Sequence, residues 1–164
     1  MPPNPISVRS ATPADAAAVA AMVECYWRFE GIEGFDAERV EATLARLLRA
    51  PAHGAIWIAE ADEESCGYLI AMYVFSIEYG GLCAEIDELW LAPDQRGSGA
   101  GRLLLNTAER AFVARGCVHV ALHVGSENDS ARGFYHHLGY QVRTGFRTLH
   151  KPLDAAQASA QIAM

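Results

Sequence analysis

The stretch Leu89–Arg102 reads LWLAPDQRGSGAGR and joins a predicted strand to a predicted helix through a glycine-rich turn. Glycines stand at alternate positions in it, at Gly97, Gly99 and Gly101, which is more than a plain strand-to-helix turn needs. Successive unpaired backbone N–H groups at a helix N-terminus form an anion site, and glycines let a diphosphate approach the backbone closely. The stretch therefore predicts a phosphate-binding turn in a chain of strands and helices.

Two common phosphate motifs do not fit this turn. The P-loop pattern ends in Gly-Lys-Ser or Gly-Lys-Thr, and that ending is missing here. The dinucleotide fingerprint Gly-x-Gly-x-x-Gly has a different glycine spacing and needs a ribose-binding acid about 20 residues further on. The next predicted strand begins Cys117-Val118-His119, without an acid. A dinucleotide site is therefore not favoured.

Hydrophobic periodicity on both sides of the turn predicts a mixed α/β chain. The predicted elements, in chain order, are a strand at 6–10, helices at 16–28 and 36–48, strands at 56–59, 66–77 and 82–91, a helix at 99–115, a strand at 117–124, a helix at 128–138, and strands at 140–143 and 146–150. Three consecutive strands with short turns form an antiparallel meander, and the crossover helix that follows makes 82–91 and 117–124 parallel neighbours.

Composition limits the chain to a few classes of protein. Its 164 residues, 51% hydrophobic and 20% charged, suit one globular domain. Asp and Glu number 20 against 13 Lys and Arg, so the net charge of −7 disfavours a nucleic-acid partner. No apolar run reaches the roughly 18 residues that span a bilayer, and the first residues do not read as a signal peptide. We therefore expect a cytoplasmic protein with no nucleic-acid or membrane partner.

The four cysteines have no spacing typical of a metal site. Cys25, Cys66, Cys83 and Cys117 include no Cys-x-x-Cys pair and no histidine cluster at zinc spacing. A chain of this size buries a sufficient core without disulfides. We expect four reduced thiols and no bound metal.

Two spaced motifs resemble those of the GNAT superfamily of N-acetyltransferases. The pattern Arg96-x-x-Gly99-x-Gly101, after a strand ending Leu-x-Pro, resembles its acyl-coenzyme A signature, and Asn128-x-x-Ala131-x-x-Phe134-Tyr135-x-x-Leu138-Gly139-Tyr140 resembles its second signature. The order of elements matches over about 6–153. The resemblance implies a mixed, largely antiparallel sheet of six to seven strands flanked by about four helices, with a splayed parallel strand pair holding the coenzyme. It also implies a single domain, 1–164, with flexible tails at 1–5 and 154–164.

The resemblance implies acetyl-CoA as co-substrate. In the superfamily the pantetheine arm pairs with the strand end before the turn, which here is Leu89, Trp90 and Leu91, and the pyrophosphate lies on backbone amides of the turn. Those amides belong to Arg96, Gly97, Ser98, Gly99, Ala100, Gly101 and Arg102. The side chains of Arg96 and Arg102 either add positive charge there or are simply solvated.

Two residues of the second signature have roles in the superfamily. Asn128 matches an asparagine that often contacts the coenzyme arm, although N-capping of its helix also explains it. Tyr135 matches a frequent general acid, which protonates the coenzyme A thiolate released when an amine attacks the thioester. A phenol, with a pKa of about 10, suits a leaving thiol with a pKa of about 8.5. The alternative is a tyrosine packed on a helix face.

Three acids interrupt the strand before the turn, where acids are usually rare. Strict alternation places Glu85 and Asp87 on one face and Glu88 on the other, and a bulge would shift this phase. The segment Asp87-Glu88-Leu89 resembles the Glu-Asp-Leu or Glu-Asp-Phe stretch of small-amine acetyltransferases, in which the first acid helps to bind or deprotonate the amine. The alternative is that these carboxylates pair with basic side chains or reach solvent.

The resemblance implies an N-acetyltransferase that moves an acetyl group from acetyl-CoA to a primary amine by direct attack in a ternary complex, and with the strand acids it favours a small cationic molecule as the acceptor. The residues expected to act in catalysis are Tyr135, Asp87 and Glu88. A protein or peptide amine as acceptor, and a non-catalytic acyl-CoA-binding module, are the alternatives. The frequency of dimers in the superfamily and the apolar C-terminal strands predict a homodimer.

Overall fold

The computed structural model describes residues 5–153. The helices and strands are β1 (Ser7–Ser10), α1 (Ala16–Glu30), α2 (Ala37–Leu48), β2 (Gly54–Ala61), β3 (Glu64–Ser76), β4 (Gly81–Leu91), α3 (Ala100–Arg115), β5 (His119–Leu122) and α4 (Asp129–His137). The chain divides into two compact units, the first ending at His123 and the second beginning at Val124. No helix within 5–153 is both long and apolar enough to cross a membrane.

The first unit contains one sheet with the strand order β1-β2-β3-β4-β5. All neighbouring strands pair antiparallel except β4 and β5, which are parallel and are joined by the crossover helix α3. The predicted meander and parallel pair are therefore confirmed. The mixed α/β fold with one parallel strand pair is also as predicted.

The two faces of this sheet bury separate groups of apolar side chains. On one face, α1 and α2 contribute Val19 and Leu44 to a core that includes Tyr68, Ile70 and Trp90 of the sheet. On the other face, Phe112 of α3 packs edge-on against Trp57, with ring centroids 5.5 Å apart. Because each helix buries one apolar stripe, the sheet becomes the middle layer of three.

Capping residues close in sequence begin and end the helices of the first unit. Thr12 and Asp15 form a capping box before α1, in which the Thr12 amide donates to Asp15 Oδ2 at 2.7 Å. Gly31 ends α1 at a φ of 70°, a conformation that favours glycine. Asp36 caps α2 by accepting the Arg39 amide at 2.7 Å.

The terminal strands predicted at 140–143 and 146–150 are not formed. Residues 5–153 contain five strands rather than six to seven, and the segment after α4 has no regular structure. Val142, Phe146 and Leu149 are 81%, 69% and 92% exposed. Apolar alternation describes side chains only, whereas a strand also needs a partner for its backbone N–H and C=O groups. The predicted tail 154–164 and residues 1–4 lie outside the described residues.

Candidate active site

The glycine-rich turn lies between a short 3-10 turn, Pro93–Gln95, and the start of α3 at Ala100. Gly97 and Gly99 adopt φ angles of 77° and 94°, which side chains with a Cβ rarely tolerate. A Cβ at either position would find no atom within 4 Å, so the surface above the turn is open. The glycines are therefore needed for the backbone conformation and leave room for a ligand.

The backbone amides of the turn divide into two groups. The amides of Arg96 and Ser98 donate to carbonyl oxygens within the turn, and the Ala100 amide lies 3.3 Å from Ser98 Oγ. Among the described residues, no acceptor is found for the amides of Gly97, Gly99, Gly101 and Arg102. Unpaired amides at a helix N-terminus carry partial positive charge and suit an anion. The turn therefore fits a phosphate group.

Arg96 is anchored at the base of this turn. Its Nε donates to the Leu91 carbonyl at 3.3 Å, and its guanidinium carbon lies 4.8 Å from the ring centroid of Phe29, which is 59% exposed. These contacts hold a permanent positive charge at the junction of β4, the turn and the end of α1. The side chain of Arg102 is exposed on the first turn of α3.

β4 extends beyond its parallel partner. The β4–β5 ladder runs from Cys83 opposite His119 to Ile86 opposite Leu122, and Asp87–Leu91 have no partner on β5. On its other side, β4 stays paired with β3 up to Leu91. The predicted parallel pair is therefore present, and the end of its ladder leaves one backbone edge of Asp87–Leu91 without a strand neighbour in the described chain.

A bulge in β4 changes which acids share a face. Ile70 pairs with Glu88 and Ala71 with Ile86, so Asp87 is the extra residue opposite no residue of β3. The register shift places Glu85 and Glu88 on the same side of the sheet, which strict alternation would separate. The bulge therefore changes the alternation of side chains along β4, as the sequence allowed.

Glu88 accepts two hydrogen bonds from aromatic side chains. Trp27 Nε1 of α1 donates to Oε1 at 2.9 Å, and the Tyr68 hydroxyl of β3 donates to Oε2 at 2.7 Å. Burial raises the pKa of Glu88, although both hydrogen bonds oppose this and Asp87 reinforces it. Burial and the nearby carboxylates of Glu30, Glu88 and Asp87 also raise the pKa of Tyr26 to about 12.

Asp87 and Glu85 have a different environment. Loss of hydration raises the pKa of Asp87, and the charge of Glu85 raises it further, while His123 lowers it. His123 Nδ1 lies 3.5 Å from Glu85 Oε1. Of the three acids, only Glu85 therefore has a basic partner among the described ion pairs.

A cavity of about 510 Å³ adjoins two of these carboxylates. Side chains from α1, α2, β3 and β4 form its wall, including Trp27, Asp87 and Glu88. Phe35 packs edge-on against Trp27, with ring centroids 5.7 Å apart, just before α2 begins. Glu24, near the end of α1, pairs with Arg28 at 2.9 Å on the surface of that helix. The cavity combines carboxylates with aromatic and aliphatic surface.

The second unit holds the other two predicted residues. Asn128 caps α4, its Oδ1 accepting the Ala131 amide at 3.1 Å. Tyr135 is half-buried on α4, with its ring centroid 5.1 Å from that of Phe134 and 5.5 Å from that of Tyr140. The capping role of Asn128 is therefore confirmed, and the aromatic packing of Tyr135 is observed.

Sequence reasoning missed several residues of the first unit. Tyr68 is fully buried and holds Glu88, and Arg39, Arg46 and His53 line the cavity. The sequence does show that Arg39 and Arg46 share one face of α2, because they lie seven residues, or about two helical turns, apart. Nothing in the sequence indicates that this face borders the same cavity as the acids of β4. Within 5–153, no group of three or more His, Cys, Asp or Glu side chains is arranged to hold a metal ion.

Comparisons with known proteins agree with the two signatures. The model of the Acetyltransferase (GNAT) family matches residues 19–140. The uncharacterized N-acetyltransferase YhfO of Bacillus subtilis (strain 168) is 30% identical over 141 residues, which cover 86% of this chain and 93% of YhfO.

Solved structures share the fold. An integron cassette protein from the mobile metagenome of Cole Harbour Salt Marsh has a TM-score of 0.78 at 25% identity, over 90% of both chains. Aminoglycoside N-acetyltransferase AAC(6')-Iy, solved in complex with CoA, has a TM-score of 0.80 at 18% identity, over 93% of this chain and 99% of its own. With a matching family model over most of its length and a relative of 30% identity, the chain belongs to the GNAT family of acetyltransferases.

Proposed function

We propose that the protein is an acetyl-CoA-dependent N-acetyltransferase whose acceptor is the primary amine of a small molecule that binds as a cation. One observation carries this proposal. A single strand, β4, places Asp87 and Glu88 in the wall of a cavity and continues directly into the unpaired backbone edge of Asp87–Leu91 and the glycine-rich turn. An amine site and an acyl-donor site on one strand are what transfer between two bound substrates requires.

The donor side of the proposal uses backbone groups. The pyrophosphate of acetyl-CoA would accept hydrogen bonds from the four unpaired backbone amides between Gly97 and Arg102, close to the positive charge of Arg96. The pantetheine arm would pair with the edge of β4 that has no strand neighbour, at Leu89, Trp90 and Leu91. At Leu91 the carbonyl also accepts a hydrogen bond from Arg96 Nε, so Arg96 would lie beside the arm. Asn128 is proposed to contact the same arm while it caps α4.

The acceptor side uses carboxylates. The raised pKa of Glu88 and of Asp87 makes each carboxylate a stronger base than an ordinary acidic side chain, which suits the removal of a proton from an ammonium group. The amine nitrogen would then attack the thioester carbon, forming a C–N bond and breaking the C–S bond. Tyr135 is proposed to protonate the departing thiolate.

The small size of the proposed acceptor rests on the cavity rather than on solved structures. Structures with this fold include aminoglycoside acetyltransferase meta-AAC0020 in complex with sisomicin, at a TM-score of 0.75 and 14% identity. At that identity the likeness shows the fold alone, so the cavity of this chain is the stronger argument. Its carboxylates and aromatic surface suit a cationic, partly apolar amine.

A panel of acceptors tests the proposal. Polyamines, aminoglycosides, amino acids and peptides would each be incubated with acetyl-CoA while thiol release is recorded. We expect release that depends on a small amine and yields its N-acetyl derivative by mass spectrometry. Release only with peptides would replace the proposed acceptor class. Binding of acetyl-CoA without release from any amine would indicate a non-catalytic acyl-CoA-binding module.

We also propose that the enzyme is a cytoplasmic homodimer. All four cysteines are free thiols, which is typical of a reducing compartment. The exposed apolar side chains of Val142, Phe146 and Leu149 offer surface that a second copy would cover. Light scattering at micromolar concentration should report twice the monomer mass of 17.8 kDa. A monomer would contradict the dimer.

A further inference from the structure

The cavity beside Glu88 carries charge of both signs. Asp87 and Glu88 of β4 line it, and so do Arg39 and Arg46 of α2 and His53, which precedes β2. The remaining wall is mostly apolar. It is formed in part by Val23, Val40, Leu44, Leu47, Ile70 and Met72. A pocket for a simple amine or a polyamine needs only the carboxylates, so the basic side chains require a separate explanation.

These basic side chains are not neutralised by carboxylates of the protein. Neither Arg39 nor Arg46 belongs to any of the ion pairs within 5–153. Arg39 Nη2 donates to the Gly34 carbonyl at 2.7 Å, which holds the side chain but leaves its charge uncompensated. Arginine stays charged at any physiological pH. On a chain with a net charge of −7, two such arginines on a cavity wall favour an anion.

Sheet geometry separates the two charged regions. His53 directly precedes β2, and its carbonyl accepts the Tyr73 amide at 2.8 Å. β2 lies two strands away from β4, a lateral distance of about 10 Å. A Cβ at Gly54 would lie only 3.1 Å from Leu47 Cδ1, so the C-terminal half of α2 lies beside the start of β2. Arg46 is in this half of α2, and its side chain lines the same cavity as His53. The basic region therefore lies about two strand spacings from Glu88, with apolar side chains in the same wall.

From this arrangement we propose that the acceptor is an amine that also carries an anionic group, a carboxylate or a phosphate, at the far end of an apolar chain. This inference rests on the proposed acetyltransferase function and narrows its substrate class. The ammonium group binds near Asp87 and Glu88, and the anionic group binds Arg46 and His53, with Arg39 adding positive charge. Diamines and polyamines are disfavoured, because their second ammonium group would meet Arg46.

Matched acceptors measure this preference. The enzyme would be assayed with ω-amino acids from glycine to 8-aminooctanoate, and each would be compared with the alkylamine and the diamine of the same chain length. An ω-aminoalkyl phosphate of the best length distinguishes the two anionic groups. We expect kcat/KM to favour the anionic acceptor over the diamine by at least about tenfold, with the optimum among the longer chains, since the charged regions are about 10 Å apart.

Variants connect the preference to its residues. Arg46→Gln should lower kcat/KM for the best anionic acceptor about tenfold, through KM rather than kcat, because a charged hydrogen bond to the substrate is lost while the reacting groups remain. The quantity to compare is the ratio of kcat/KM for the best anionic acceptor to that for the plain alkylamine, which should fall in Arg46→Gln because only the anionic acceptor loses a charged partner. Arg49→Gln is the matched control, since Arg49 is exposed at the end of the same helix and does not line the cavity.

The outcomes separate this inference from the function on which it rests. The anionic substrate class would be wrong if alkylamines and diamines were acetylated as efficiently as anionic acceptors. It would also be wrong if Arg46→Gln left the preference unchanged. Neither outcome would contradict the proposed acetyltransferase function. If no amine of this series is acetylated while another small amine of the wider panel is, the inference is wrong and the proposed function stands. If acetyl-CoA binds but no amine of either set is acetylated, the proposed function is wrong and the inference fails with it. Circular dichroism and acetyl-CoA affinity would verify that each variant is folded.

Discussion

The glycine-rich turn and the acid cluster of β4 are consecutive in the chain but are built by different physical means. The turn is made of backbone groups, whose conformation depends on glycines within six residues of one another. The cluster is made of side chains. The partners of Glu88 are Tyr68, 20 residues away, and Trp27, 61 residues away. An anion site can therefore be built locally, whereas tuning a carboxylate needs elements distant in sequence.

This difference predicts which changes will separate donor binding from chemistry. Changes in the turn should act on coenzyme affinity, and changes in the carboxylates should act on acceptor turnover and on stability. Tyr135, in the second unit, should affect turnover alone.

The largest effect is expected for Tyr135→Phe. If the phenol protonates the leaving thiolate, turnover should fall about 10²- to 10⁴-fold, the usual contribution of a general acid, while acetyl-CoA affinity is nearly unchanged. Pre-steady-state kinetics must show that chemistry limits the rate. Tyr140→Phe is the control, because Tyr140 packs edge-on against the Tyr135 ring at 5.5 Å in the same unit. Unchanged turnover in Tyr135→Phe would rule out the general-acid role.

The next effect concerns the turn. Gly99→Glu introduces a side chain and a negative charge where the pyrophosphate is proposed to bind, so acetyl-CoA affinity measured by calorimetry should fall about 100-fold, or roughly 2.7 kcal/mol. Gly116→Glu is a matched control at the other end of α3, with a φ of 86° against 94° and a similarly open surface. Equal affinities in the two variants, both folded, would contradict the site.

A smaller effect is expected when the carboxylates lose their charge. Glu88→Gln, or Asp87→Asn if that residue is the base, should lower turnover about tenfold at the acidic side of the profile, where the free amine is scarce. At still lower pH the acid itself becomes protonated, and its raised pKa makes this happen earlier as pH falls. The difference in turnover between the wild type and the amide variant should then disappear. A rise in KM at constant kcat would indicate that the acid only attracts the cation.

The smallest effect is on stability, and Glu88 and Asp15 should change the stability at pH 7 in opposite directions. Burial raises the pKa of Glu88 in the folded state. The contribution of Glu88 to stability therefore falls as pH rises above about 4.3, the ordinary pKa of a glutamate. Because the charged carboxylate is unfavourable at pH 7, Glu88→Gln should leave the melting temperature at that pH unchanged or higher.

Asp15 behaves in the opposite way. The Arg9 guanidinium, 2.8 Å away, holds the pKa of Asp15 well below its usual range, so the stabilisation is present at neutral pH and is lost as pH falls through that lowered value. Asp15→Asn should cost about 1 kcal/mol at pH 7, since Arg9 is 42% exposed and solvent screens the pair. Thermal melts at pH 7 and pH 3 compare both variants. A larger loss for Glu88→Gln than for Asp15→Asn at pH 7 would contradict the assignment.

Much of the architecture was predictable because its determinants are local. The glycine spacing from Gly97 to Gly101, the cap at Asp36 and the crossover around α3 depend on residues close in sequence, and the structure has each of them. The two signatures also identified the family before any fold was known. The strands predicted at 140–143 and 146–150 failed, because alternation specifies a buried face only when another strand is present to pair with it.

By itself, the sequence determined the helices, the pairing of strands β2 to β5, the glycine-rich turn and the acids at 85–88 as candidates. The place of β1 beside β2 came from the tertiary structure alone. Only the tertiary structure decided that the bulge leaves Asp87 unpaired, that Tyr68 and Trp27 hold Glu88, and that Arg46 shares a cavity with these carboxylates. The physical reason is range. Backbone conformation and caps depend on neighbours within a few residues, whereas hydration and charge at a site depend on whichever distant side chains the packing of α1, α2 and the sheet brings beside it.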